Sequence, residues 1–159
     1  MSEKKKEYFA HREKVYMQGK LFPQIKVGMQ KVNLTPTVNI DKNGEKHIIP
    51  NDPVYIYDTS GPFTDPQKTV DLKKGIERIR LDWHKDRDDI EMLDDLTSEY
   101  GRMRMADKSL DHLRFEHICK PFRAKQGKQI TQMAYAKAGI ITPEMEYVAI
   151  RENMNCEQL

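Results

Sequence analysis

At 159 residues the chain is long enough for one domain of ordinary size. Its formal net charge of +2, from 27 basic against 25 acidic residues, is too small to hold it open by self-repulsion. A pI near 8.4 lies below the strongly basic range of a dedicated nucleic-acid binder.

Leu, Ile, Val and Phe make up 34 of the 159 residues, just above the roughly 20% level at which disorder becomes the default. A folded domain with a thin core is expected. Two cysteines, Cys119 and Cys156, make no disulfide framework. No apolar region follows the basic Met1–Lys6, and no stretch approaches the roughly 18 apolar residues of a membrane span. The expected setting is a reducing cytoplasm with thiols unpaired.

In chain order, residues 2–13 are polar and charged and read as a short, frayed helix. Residues 14–57 read as strands. Val15 and Met17 alternate with Tyr16 and Gln18, and Ile25, Val27 and Met29 with Lys26 and Gly28, which places one set on a buried face. Gly19 to Pro23 suits a loose hairpin connection. Pro36 breaks the second strand, and Asp41-Lys42-Asn43-Gly44 is a turn signal. Ile48-Ile49 and Val54 to Tyr57 follow. Asp65 as N-cap and Pro66 at the first position predict a helix whose one face carries Leu72, Ile76, Ile79 and Trp83. A short helix is expected around Leu110 and Leu113, after Asp107. Another spans Thr131 to Ala138 and is closed by Gly139. The last opens at Thr142-Pro143 and carries Met145, Val148 and Ala149 inward. Strands first and helices second point to an α+β fold with a small, mostly antiparallel sheet in the N-terminal half.

The residues that could carry chemistry fall short of known patterns. Asp58-Thr59-Ser60-Gly61 has one residue too many for an aspartic-protease signature, and Gly-x-Ser-x-Gly is absent. The segment reads as a strand end entering an Asx-type turn, with Asp58 or Ser60 bonding local backbone N–H groups and Gly61-Pro62 setting the corner. His11, His47, His84, His112 and His117 show no metal spacing; His112 and His117 are five apart where a helical pair needs four. Cys119 lies near His117, but no second cluster completes a site. Glu144 and Glu146 point to different sides of a helix and suit its dipole. From His117 to Pro143 there is no acid, while Lys120, Arg123, Lys125, Lys128 and Lys137 are basic. That run suits a solvated face or a match to the acidic stretch Asp82 to Asp95, and less well a phosphate or RNA backbone. No catalytic, cofactor-binding or metal-binding residue is assigned.

Two stretches resemble the phosphomethylpyrimidine synthase (ThiC) family. One runs from Tyr57 through Asp58-Thr59-Ser60-Gly61-Pro62-Phe63-Thr64-Asp65 to Pro66. The other runs from Ile130-Thr131-Gln132-Met133 through Tyr135-Ala136-Lys137 and Gly139-Ile140-Ile141-Thr142-Pro143 to Asn153. Shorter echoes lie at Lys14-Val15-Tyr16, Ile25-Lys26-Val27, Leu110 to Phe115 and Arg123 to Gly127. The chain departs from the family pattern at Ala134, where histidine is usual, and mildly at Phe63, where tyrosine is common.

The resemblance implies an N-terminal accessory and assembly domain of a radical S-adenosylmethionine lyase. That lyase converts aminoimidazole ribotide to hydroxymethylpyrimidine phosphate in thiamine biosynthesis. The parent enzyme would carry a 4Fe-4S cluster, S-adenosylmethionine and zinc, none of them in this chain, since Cys119 and Cys156 cannot make a Cys-x2-Cys-x4-Cys motif. The chain alone is then expected to be inactive. The expected organisation is residues 1–12 as a flexible segment, 13–141 as the α+β domain and 142–159 as a helix leading into a β/α barrel beyond Leu159. Its partners would be the remaining domains of the same enzyme and a second subunit, as a homodimer, with no nucleic acid and no membrane. On this reading residues 117–143 face another domain or the entrance for the substrate's phosphate. The alternative is a stand-alone protein-interaction module, or a weak RNA- or phosphate-binding one, derived from the same domain.

Overall fold

The alternating text of residues 12–57 becomes five strands: β1 (Arg12–Gln18), β2 (Lys26–Val32), β3 (Thr37–Ile40), β4 (Lys46–Ile49) and β5 (Val54–Tyr57). The computed structural model describes residues 11–114 and 120–154. His117, Cys119, Cys156 and residues 1–10 of the expected N-terminal segment lie outside the described residues; where that segment is described, Arg12 and Glu13 are not helical or loose but pair with Val32 and Lys31 as the start of β1. The chain divides into two units, one of Met1–Asp65 with Pro143–Leu159 and the other of Pro66–Thr142.

In the first unit, β1, β2 and β5 form an antiparallel sheet in the order β1-β2-β5. The period of two holds: Ile25, Val27 and Met29 are buried, and Lys26 between them is exposed. The strand pair β3–β4 stands as a separate two-stranded hairpin, its turn made by Gly44 at φ +81°, a conformation that favours glycine. A helix from the far end of the chain, Pro143–Arg151, packs on β2 and completes the core with the fully buried Ala149. It ends in a Schellman motif. Asn153 takes the left-handed conformation at φ +54°, Met154 N–H reaches Ala149 C=O at 2.8 Å, and Asn153 N–H reaches Ile150 C=O at 3.1 Å. The inward face differs from expectation at two positions: Val148 is 44% exposed, and Glu146 is buried instead.

The second unit holds short elements: α1 (Leu81–Lys85), β6 (Ile90–Met92), α2 (Glu99–Ala106), a 3-10 turn (Lys108–Leu113), β7 (Phe122–Ala124) and α3 (Gln132–Lys137). The helix at Pro143–Arg151 is therefore α4. Thr131, expected inside the helix, instead N-caps α3 by accepting Ala134 N–H at 3.1 Å, and Gly139 closes it as expected, at φ +71°. The helix expected from Pro66 onward does not form. Asp71 instead builds a tight turn, accepting Lys73 N–H on its carboxylate at 2.8 Å and Gly75 N–H on its carbonyl at 2.9 Å, with Gly75 at φ +75°. Only Trp83 of the predicted apolar face is buried; Leu72 is 76% exposed. The half read as helical also contains a strand pair, β6–β7, antiparallel with Glu91 opposite Arg123. With antiparallel sheets early and helices later, the fold is α+β.

Candidate functional site

Among the described residues, a buried polar cluster lies in the first unit, on the loop Asp58–Asp65 that leaves β5. Two residues of β1, Lys14 and Tyr16, are two apart and so share one sheet face. Lys14 pairs across the ladder with Gln30 of β2, which brings two side-chain donors to one point. Asp58 receives them. Its Oδ2 accepts from Lys14 Nζ at 2.8 Å, Gln30 Nε2 at 2.9 Å and Thr64 Oγ1 at 3.0 Å. Its Oδ1 accepts from Ser60 N–H at 3.0 Å and from the Ser60 hydroxyl. The Asx turn predicted at Asp58 is therefore present, inside a larger network. Lys14 also donates to the Gly61 carbonyl, and the Ser60 and Thr64 hydroxyls are 2.6 Å apart. At the far end of the loop the Tyr16 hydroxyl donates to Asp65. Asp65 is thus a loop anchor after the 3-10 turn Gly61–Thr64, and not the start of a helix.

The electrostatics follow from this geometry. Burial to 6% exposure pushes the Asp58 carboxyl up, but the hydrogen bonds from Lys14, Ser60 and Gln30 outweigh it and hold the group well below the usual carboxylate range. A carboxylate so saturated is a poor proton acceptor at neutral pH. The hydrogen bond to Asp65, then burial, pushes the Tyr16 phenol up to about 12. What the cluster does is fix a loop. It holds Gly61 at φ +56° and leaves Phe63 61% exposed at the crest.

A second polar anchor was missed by sequence reasoning. Glu146 is 0% exposed and accepts three backbone N–H groups of the β1–β2 connection, from Lys20 at 2.6 Å, Leu21 at 2.7 Å and Phe22 at 2.8 Å. Gly19 is required beside it, because a Cβ there would lie 2.4 Å from the Phe22 carbonyl oxygen and 2.6 Å from Glu146 Oε2. Nearby, Tyr57 and Tyr147 meet edge to face with their hydroxyls 3.2 Å apart. Burial, then that contact, raises the Tyr147 phenol above its ordinary range.

The basic run is partly neutralised inside the second unit. Arg123 Nε lies 2.6 Å from Glu91 and Lys125 Nζ 2.6 Å from Asp88, so two of its cations meet the acidic stretch. Tyr135 is buried and donates to Asp89. Among the histidines, His11 is exposed, His84 sits edge-on to Phe122, His112 contacts the Ser109 carbonyl, and His47 joins Asp41 and Glu45 at the β3–β4 turn. Glu144 and Glu146 both lie in the first turn of α4, as predicted.

The chain is thus an α+β protein whose principal polar cluster immobilises an exposed loop. The model of the ThiC-associated domain matches residues 8–91, just over half of the chain, and the matched stretch contains the whole Asp58 cluster. The chain belongs to the ThiC-associated domain family, which links it to ThiC and to thiamine biosynthesis. Among the described residues, no helix is long and apolar enough to cross a membrane.

Proposed function

We propose that this chain is the N-terminal accessory and assembly domain of phosphomethylpyrimidine synthase, the radical S-adenosylmethionine lyase that makes hydroxymethylpyrimidine phosphate from aminoimidazole ribotide. The observation that carries the reading is the family match over residues 8–91. The Asp58 cluster supports it physically. A fully bonded buried ion pair adds little net stability compared with apolar packing of the same volume, so its use lies in fixing a conformation. The conformation fixed here presents an exposed aromatic, Phe63, on a rigid loop, the kind of anchor that dominates protein interfaces. The chemistry of the lyase belongs to the rest of the enzyme. The 4Fe-4S cluster, S-adenosylmethionine and zinc would be bound there, since the two cysteines of this chain are too far apart in sequence to supply three clustered thiolates. This chain's part is to dock on the remaining domains and on a second subunit, in the cytoplasm.

Reconstitution tests this. The chain is mixed with the separately produced remainder of the enzyme, and complex formation and lyase turnover are measured. A stable complex with turnover at least tenfold above the remainder alone is expected. No complex and no gain in turnover would contradict the assembly role.

A further inference from the structure

The β3–β4 hairpin buries none of its strand residues, and a two-stranded ribbon with no packed face is marginal in water. Its turn end carries three metal-ligating side chains. The register pairs Asn39 with His47 and Ile40 with Lys46. Asp41 N–H continues the ladder to Glu45 C=O at 2.9 Å. Asp41, Glu45 and His47 therefore share one face, and Lys46 belongs to the other. Asp41 Oδ1 is occupied by the turn, accepting the N–H groups of Asn43 and Glu45 at 2.8 Å each. Its Oδ2 stands 3.7 Å from His47 Nε2. One ligand atom from each of Asp41, Glu45 and His47 lies within 4.8 Å of the other two.

We propose that this face of the hairpin binds a divalent transition-metal ion through Asp41 Oδ2, the Glu45 carboxylate and His47 Nε2. The donor set selects the class. An imidazole nitrogen with two carboxylates suits zinc, cobalt or nickel, whereas calcium and magnesium take oxygen donors. Two carboxylates and a neutral imidazole also balance a double positive charge. Zinc ligands sit about 2.0–2.2 Å from the ion, hence about 3.4 Å from one another in a tetrahedral site. The present spacing closes to that with about an ångström of movement, which exposed side chains make by rotamer change. The ion would clip β3 to β4 across the ladder, supplying the constraint that the hairpin lacks from packing. Water would complete the coordination, so the site is solvent-open.

The test is a Zn2+ titration of the untagged full chain, followed residue by residue through its amide NMR resonances. The proposal predicts that residues 41–47 shift together with saturation in the micromolar range. It predicts that His47→Ala weakens this response at least tenfold and Glu45→Gln at least threefold. All these residues are exposed or half-buried, so the variants retain the fold, which the unshifted resonances report. Residues 41–47 unmoved up to millimolar Zn2+ would overturn the proposal. So would a response that His47→Ala leaves unchanged, or shifts confined to other histidines and the cysteines.

Discussion

Asp58 is one carboxylate with five hydrogen bonds, and it joins three pieces of chain that are remote in sequence. Removing its charge leaves the Lys14 ammonium, only 9% exposed at its side chain, without its counterion. Breaking a buried pair from one side costs on the order of 3 kcal/mol. Asp58→Asn should therefore lower stability by about that amount in urea unfolding at neutral pH. The pH dependence has a definite sign. The folded carboxyl is held below its ordinary value, so at low pH the unfolded chain binds the extra proton. The stabilisation is fully present above an unfolded Asp value of about 4 and is lost as pH falls below it. Wild-type stability should decline through that acid range, and the decline should be visibly shallower in Asp58→Asn. Equal slopes would show that Asp58 is not the titrating anchor.

At the scale of elements, α4 is the piece that the first unit cannot do without. It covers β2, supplies Ala149 to the core, and delivers Glu146 to three otherwise unpaired N–H groups of the β1–β2 turn. Glu146→Gln should cost about 2–3 kcal/mol, since an amide places an N–H donor against a backbone N–H donor in a dry site. A chain ending at residue 142 should fail to give a cooperative thermal transition. Retained stability in Glu146→Gln would show that these N–H groups find other partners. The strands β1, β2 and β5 could be read from the sequence because alternation at Ile25, Val27 and Met29 is a direct imprint of one buried face. The turn at Gly44 and the helix stop at Gly139 were equally readable, as local chemistry. The false helix after Pro66 had a regular apolar spacing but no neighbour to bury Leu72, Ile76 and Ile79, and Gly75 and Asp71 offered a turn instead. The helix α2 has the reverse history. It lacks an apolar stripe and rests on local bonds, Ser98 Oγ accepting Gly101 N–H at 3.0 Å and Arg102 reaching the Leu96 carbonyl at 3.0 Å. The strands β6 and β7 are three residues each, too short to show a period. Their signal was the opposition of an acidic and a basic stretch. The Asp58 turn was readable from Asx chemistry, whereas its Lys14, Gln30 and Tyr16 partners depend on a cross-strand register that no local pattern prints.

At the scale of the molecule, the family match and the folding units do not share boundaries. The match covers residues 8–91, which takes in β1 to β5 and α1, stops within β6 and omits α4. The sheet that carries the Asp58 loop nevertheless relies on α4, so residues 143–154 belong to the working domain. Exposed apolar side chains are spread over it, among them Phe63 on the fixed loop and Val38, Ile40 and Ile48 on the hairpin. The proposed role, as part of a larger lyase, is decided by the intact mass of the native protein. It would be captured from its own cells with an antibody to this domain. A polypeptide several times the 18.7 kDa of this chain, carrying a cluster-binding cysteine motif, is expected. A native polypeptide near 18.7 kDa would contradict it and leave a free-standing interaction module.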